Sequence, residues 1–424
     1  MTEIKTIFDE YVGKTYKPGL RFEYSVSIPL SDSEPFALLV EHDGQNEANL
    51  HAMLSLADEG KAPYCVTVGV RPGNLTMSNG SIRNMRMNSY DLFDREYADF
   101  LVYELLPHLI DKHSLRISES PEMHLVSGAS SGGISAFAIA WFHSEYFRKV
   151  YMSSPSFLAM GRGNELPYLI RKYETKPIRV YHEWSENEPN DYFGSSRAID
   201  QETDLALSFA GYDYRAAFFP EEGHGSRYKN REEAYRRFEW IWRDWQDGSQ
   251  AMHTSSPRVE KIIPRDSRWE LCNAFPEKAL VAIPKALENY GRVVLSNDRL
   301  AYYAADKTDD VVYMHAASGK ESLATRLLHA TLHTLPRVYP KGAIDMAVDA
   351  KDHLYVLTAV GIQCVRSFGL IDVVLDLPDG GVPTEIAIAD ALYVKTERGV
   401  YKRALCDDCT DFDVPKRRHD SYYN

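Results

Sequence analysis

From Arg21 to Trp245 the chain repeats one pattern: a short run of β-branched or apolar residues, a loop, then a segment with helical period. That alternation dictates helices layered on a mostly parallel sheet, because a crossover between parallel strands carries a helix that must bury one face against them. Strands are predicted at Arg21 to Pro29, Phe36 to Glu41, Tyr64 to Val70, Met123 to Ser127, Lys149 to Ser153, Ile178 to Glu183 and Tyr214 to Phe219. The clearest helices are Asp94 to Asp111 and Glu232 to Trp245. The second puts Phe238, Ile241, Trp242 and Trp245 on one face by their i, i+3, i+4, i+7 spacing.

The predicted strand ending at Ser127 runs into Gly128-Ala129-Ser130-Ser131-Gly132-Gly133 and then the helical Ile134 to Phe142. A G-x-S-x-G between a strand and a helix is the signature of a nucleophile elbow, a sharp turn that exposes a serine hydroxyl and leaves no room for side chains beside it. Ser130 is therefore the candidate nucleophile. The amide of Ser131, at a helix N-terminus, is a candidate donor to a developing oxyanion. His224, in Glu221-Glu222-Gly223-His224-Gly225, follows the last predicted strand and precedes the last long helix, where the base belongs in the chain order Ser, acid, His. His42, His108, His143 and His182 are read instead as satisfied structural residues. The acid belongs after the strand Ile178 to Glu183, where the loop offers Glu186, Glu188 and Asp191; Asp or Glu can each hold the imidazole tautomer. The turn His42-Asp43-Gly44-Gln45 suggests the amides of Gly44 and Gln45 as further oxyanion donors, with Asp43 shaping the turn. Arg83 and Arg86, on a loop from Arg71 to Asp91 expected to wall the pocket, are candidates to bind a substrate carboxylate or sugar hydroxyls.

After Gln246 the periodicity stops in a polar stretch with turn residues, Asp247 to Gln250 and Ser255-Ser256-Pro257. Beyond it strands are short and helices scarce, and the phrases AIDMAVDAKDHLYVLTAVGI and PTEIAIADALYVKTERGVY echo one another. Such repetition is blade-like. At about 40 to 45 residues per blade, however, the stretch from Asp266 to Leu405 has room for about three, short of a closed propeller. The predicted layout is an α/β-hydrolase domain at 1–250, a linker at 251–265, and an all-β, partial-propeller-like domain with a polar tail at 266–424. Unclosed end sheets should be covered by the hydrolase or by a second copy of the chain, giving a homo-oligomer through the C-terminal domain.

A chain of 424 residues exceeds one hydrophobic core, which agrees with two domains. A net charge of -13, with its one basic run at Lys416 to Arg418, argues against nucleic acid as a partner. No apolar run approaches membrane-spanning length and Met1 to Tyr11 lacks the core of a secretory signal. The expectation is a protein that is cytoplasmic as written, or secreted or periplasmic if a signal has been removed. Cys65, Cys272, Cys364, Cys406 and Cys409 are too few and scattered for a disulfide framework, and Cys406-x-x-Cys409 has no second pair at zinc-binding spacing.

Four stretches together, LLVEHDGQ, RMNSYD with YADFLVYELLPHL, GASSGGISAFAIAWFHSEYFRKVYMSSPSF, and LALSFAGYDYR leading to EEGHG, resemble the enterochelin-esterase-like branch of the esterase D superfamily, which includes feruloyl and acetyl-xylan esterases. The resemblance covers roughly residues 20 to 246. It implies a serine carboxylesterase with Ser130 as nucleophile and His224 as base, needing no cofactor. It also selects Glu188, the fifth position of the family's Asp-Gly-x-x-Asp-like loop, although Trp184 and Ser185 replace the usual Asp-Gly and Glu188 replaces Asp. The implied substrate is a small-molecule or carbohydrate ester, feruloyl, acetyl or siderophore-type. The C-terminal region faintly resembles a gluconolactonase-type propeller, but that family's dispersed metal ligands are missing, so no metal site is expected. Two other readings compete: a catalytically silent hydrolase fold used for binding or assembly, and a metal-dependent lactonase in the C-terminal domain.

Overall fold

The computed structural model describes residues 2–160, 163–247, 258–265, 267–278, 281–306, 309–317, 323, 325–335, 340–366, 368–378 and 381–406. Lys416 to Arg418, Cys409 and residues 248–257 of the expected linker region lie outside them. The chain divides into two units, Met1–Arg171 with Lys176–Met252, and Lys172–Thr175 with His253–Asn424.

The first unit contains, in chain order, β1 (Ile4–Val12), β2 (Arg21–Pro29), β3 (Ala37–His42), α1 (Glu47–Asp58), β4 (Cys65–Val70), β5 (Asn74–Thr76), β6 (Ile82–Asn84), α2 (Arg86–Tyr90), α3 (Glu96–Asp99), α4 (Leu106–His113), β7 (His124–Ala129), α5 (Ser131–Phe142), β8 (Lys149–Ser153), α6 (Leu166–Lys172), β9 (Arg179–Asn187), β10 (Asn190–Asp191), β11 (Gly194–Ser195), α7 (Ser196–Phe209), β12 (Asp213–Gly223) and α8 (Arg231–Ile241). A ten-stranded sheet runs in the order β12-β9-β8-β7-β3-β4-β2-β5-β6, with β1 antiparallel to β2. From β12 to β4 every pair is parallel. All seven predicted strands are in it. β1 and the β5–β6 hairpin are additions to the predicted strands: in β1 Tyr11 is buried, Ile4 and Ile7 are half-buried, and Phe8 and Val12 are exposed, which is edge behaviour.

Strands β3 and β4 are buried on both faces, which explains why their sequences, ALLVEH and CVTVGV, do not alternate between apolar and exposed polar residues. Met53 and Leu56 of α1 join Phe238, Ile241 and Trp242 at the end of α8 in one core cluster over the sheet. The helix α5 is apolar all round and buried from Ser131 to Trp141. The helix expected at Asp94 to Asp111 is interrupted: between α3 and α4, Phe100–Leu105 is a π-helical turn in which Leu106 N–H reaches back to Leu101 O. Pro107 has no N–H to return to Tyr103, so the ladder shifts register there.

The chain goes from β3 through α1 to β4 on one side of β3, whereas β7 lies on its other side. The strand order therefore reverses at β3. Loops leaving the carboxyl ends of β3 and β7 diverge, and such a switch point is where open α/β sheets bind ligands.

In the middle of β9, buried His182 is held against α7: Nδ1 is 2.7 Å from Asp204 Oδ1, and Nε2 makes an ion contact of 3.3 Å with Asp200. Trp184 Nε1 donates to the other oxygen of Asp204 at 2.7 Å. Burial works against a charged imidazole, but the two carboxylates outweigh it and push its pKa up to about 10.

The second unit holds β13 (Glu270–Cys272), β14 (Arg292–Leu295), β15 (Ala301–Ala305), β16 (Val311–Ala316), β17 (Leu327–Thr331), β18 (Asp345–Val348), β19 (Leu354–Thr358), β20 (Gly361–Val365), β21 (Ile371–Leu375), β22 (Pro383–Ile388), β23 (Leu392–Thr396) and β24 (Val400–Arg403). They form three antiparallel four-stranded sheets, β14 to β17, β18 to β21, and β13-β24-β23-β22. The third is completed by the first strand of the region, which pairs with the last. Val259, Ile262 and Ile263, inside the stretch read as linker, are buried in this unit's core with Leu357, Val373 and Val394. The unit also takes in residues 172–175, which meet the edge strand β21: Tyr173 bridges Val374 in parallel, and Glu174 N–H donates to Val374 O at 3.1 Å. The buried Glu174 carboxylate receives Arg403 Nη1 at 2.6 Å and Nη2 at 2.9 Å, as well as Asp376 N–H at 2.8 Å.

Glu174→Ala leaves Arg403 charged, buried and without its carboxylate, so the second unit should lose about 3–5 kcal/mol in denaturant unfolding. Unchanged unfolding would contradict this account of the edge. For His182 the folded pKa lies above the unfolded value of about 6.5, so its contribution is full below that pH and is lost as pH rises through about 10. The difference in unfolding free energy between the native chain and His182→Gln should therefore be largest below pH 6.5 and shrink towards pH 10. A difference independent of pH would show that the imidazole is not charged.

Candidate active site

The turn from β7 into α5 is closed by contacts that exclude a side chain at Gly128 and crowd one at Gly132. A Cβ on Gly128 would lie 2.2 Å from Gly132 O, and one on Gly132 would lie 3.1 Å from the His42 Cβ. Ser130 sits between them at φ 58°, ψ −126°, a conformation that an L-residue adopts only when its surroundings impose it. Its N–H donates to Ser153 O at 2.9 Å, and its partly exposed Oγ is 3.0 Å from Ser156 Oγ.

His224 follows β12, and its Nδ1 is 2.6 Å from Glu188 Oε2. That pairing places the proton on Nδ1 and leaves the Nε2 lone pair free to accept another. Glu188 Oε1 receives Ser154 Oγ at 2.5 Å and Ser185 N–H at 3.1 Å. Burial opposes the carboxylate's charge, but the hydrogen bonds from His224 and Ser154 outweigh it and hold its pKa below the ordinary value. The other two candidate acids lie elsewhere: Glu186 accepts from Glu221 N–H at 3.0 Å and Arg197 at 3.3 Å, and exposed Asp191 accepts from Phe193 N–H at 2.8 Å. Of the three, the structure brings Glu188 to the histidine.

The turn after β3 corrects one expectation. The Gly44 N–H donates to Val70 O at 3.1 Å, so it is spent inside the sheet and is not an open oxyanion donor. The Gln45 and Ser131 amides have no acceptor among the described residues. Gly69 of β4 lets Gln45 approach, since a Cβ there would lie 2.3 Å from Gln45 N. Asp43 holds φ 63° and receives Arg86 through two hydrogen bonds of 2.7 Å, and Arg86 Nη2 also reaches Ala129 O at 3.5 Å. Arg86 thus braces the β3 turn against the elbow, and its guanidinium is taken up by Asp43. Arg83 is exposed on β6, opposite Leu75.

Sequence reasoning missed Ser154, Ser156 and the Asp43–Arg86 pair. Ser154 and Ser156 were visible only as the serines of Ser153-Ser154-Pro155-Ser156 after a strand, and nothing local marks either as touching residues far along the chain. His42 and His143 are satisfied as expected: the His42 Nδ1 is 3.0 Å from Ser127 O, and His143 lies 2.7 Å from both Asp99 and Glu145. Among the described residues no group of three or more His, Cys, Asp or Glu is arranged to hold a metal ion, and no helix is long and apolar enough to cross a membrane.

Comparison with known proteins places the chain in a family. Solved structures similar to the chain include a ferulic acid esterase, 18% identical with a TM-score of 0.43, covering 57% of this chain and 99% of that one. They also include the enterobactin esterase of Shigella flexneri in the presence of enterobactin, 18% identical with a TM-score of 0.44, covering 57% of this chain and 60% of that one. A third is the BES protein of Bacillus cereus, 16% identical with a TM-score of 0.40, covering 56% and 94%. No curated protein matches the chain. Residues 21–239, just over half of the chain, match the family model described as "Putative esterase", and the chain belongs to that esterase family.

Proposed function

We propose that this esterase is a serine carboxylesterase working through Ser130, His224 and Glu188 and a covalent acyl-enzyme. The observation that carries the reading is the 2.6 Å pairing of His224 Nδ1 with Glu188, two residues from separate loops after β12 and β9. The strained Ser130 elbow lies at the end of β7 in the same sheet.

In the first half-reaction Ser130 Oγ turns from Ser156 towards His224. It attacks the ester carbonyl carbon while Nε2 takes the hydroxyl proton. The imidazolium so formed is stabilised by Glu188, which stays ionised. The carbonyl oxygen becomes an oxyanion to which the Ser131 and Gln45 amides can donate, since neither has an acceptor among the described residues. Collapse expels the alcohol, protonated by His224, and leaves the acyl group on Ser130. Water, deprotonated by Nε2, then repeats the sequence and releases the carboxylic acid.

The substrate class, an ester carried on a carbohydrate or a siderophore-type ester, rests on the sequence resemblance. The hydrogen bond between Ser130 and Ser156 favours one competitor, a silent hydrolase fold whose serine is not engaged by its histidine. Hydrolysis of p-nitrophenyl acetate separates the two. The native chain should turn it over, Ser130→Ala should fall to background, and His224→Ala should lose about 10²–10⁴-fold in kcat. No turnover by the native chain, or full turnover by Ser130→Ala, would sink the reading. A panel of acetyl, feruloyl, glucuronoyl and trilactone esters then ranks the acyl and alcohol parts.

A further inference from the structure

Ser154 lies just beyond β8, is 1% exposed, and has a backbone φ of 44°, which glycine adopts freely and serine does not. Its backbone N–H is already bonded to Glu183 O at 2.6 Å. Its hydroxyl makes two contacts: Oγ is 2.5 Å from Glu188 Oε1 and 2.9 Å from Gly225 N. A serine hydroxyl has one proton to give and two lone pairs to offer. The Gly225 amide can only donate, so it takes a lone pair. The hydroxyl proton points to Glu188.

We propose that Ser154 is a positioning residue that sets the Glu188–His224 pair, an inference that rests on the serine-esterase reading above. By donating to Oε1 together with the Ser185 amide, it fills one oxygen of the carboxylate and leaves Oε2 aimed at His224 Nδ1. By accepting from Gly225, the residue after His224, the same hydroxyl ties the loop bearing the base to the acid. The segment reaches the nucleophile as well. Pro155 packs so closely on α5 that a Cβ on Gly133 would come within 3.1 Å of it, and Ser156 Oγ meets Ser130 Oγ at 3.0 Å. Three loops that are distant in sequence are thus gauged by three consecutive residues, and the strained φ is kept at the one position whose hydroxyl bonds two of them.

Two variants separate the hydroxyl from the backbone. Ser154→Gly removes the hydroxyl and relieves the φ, whereas Ser154→Ala removes the hydroxyl and keeps the strain. Both should lose about 10–100-fold in kcat on p-nitrophenyl acetate, the range for a hydrogen bond to a charged group, with KM within about twofold of native. Ser154→Gly should unfold at a higher midpoint than Ser154→Ala, because glycine adopts the φ of 44° without strain. A readout independent of turnover is the downfield Nδ1 proton of His224 in the ¹H NMR spectrum of histidine-labelled full-length protein, assigned by its loss in His224→Gln. That resonance should be sharp in the native chain and should shift upfield or broaden in both Ser154 variants. If it is absent from the native chain, or if both resonance and kcat are unchanged in Ser154→Gly, the proposal is overturned. If the native chain hydrolyses no ester while the resonance responds to Ser154→Gly, the esterase mechanism fails and the positioning role stands.

Discussion

At Gly128, where β7 turns towards α5, there is no space for a Cβ, and the site depends on that closeness. Gly128 lies so near Gly132 that any other residue would strike its carbonyl, and the turn this forces holds Ser130 at a positive φ that costs on the order of 1–3 kcal/mol. The strain persists because the surroundings determine it from several sides. The Ser153 carbonyl takes the Ser130 amide, Pro155 blocks Gly133, and α5 is buried almost along its whole length. The switch point at β3 then sets the Gln45 amide on a second loop beside this elbow, and the Asp43–Arg86 pair braces that loop.

Buried charge is handled in two ways in this unit, and the contrast explains why Glu188 can serve as the acid. Glu41 is fully buried and receives the Asn46 N–H and the Asn49 side chain, yet burial still wins and pushes its pKa up to about 7. Glu188 receives three donors, one of them an imidazole, and its partner His224 is a third exposed. There the hydrogen bonds prevail and the group stays ionised. An ionised acid on an imidazole that still reaches solvent suits proton transfer to a bound ester.

The parts of this arrangement that depend on local sequence could be read in advance. Seven strands of the sheet show in apolar runs, and the Ser130 elbow shows because Gly128 is forced by backbone contact with Gly132, four residues on. The preference for Glu188 over Glu186 and Asp191 came from resemblance, since three carboxylates in one loop look alike until the fold aims one of them. What sequence could not show depends on long-range pairing. The Gly44 amide is consumed by Val70 across the sheet, Arg86 by Asp43, and β13 finds its partner β24 some 130 residues later. The π-helical turn before Pro107 was legible in principle, because a proline inside a helical pattern removes a donor that the preceding turn needs.

The central claim is that Ser130 is the residue made nucleophilic by this geometry, and its most direct test is covalent. Incubation of the full chain with a fluorophosphonate, followed by proteolysis and tandem mass spectrometry, identifies the modified residue. The account expects one adduct per chain, on Ser130, forming far more slowly in His224→Ala. An adduct on Ser131 or Ser156 instead, or none while the chain remains folded, would contradict it.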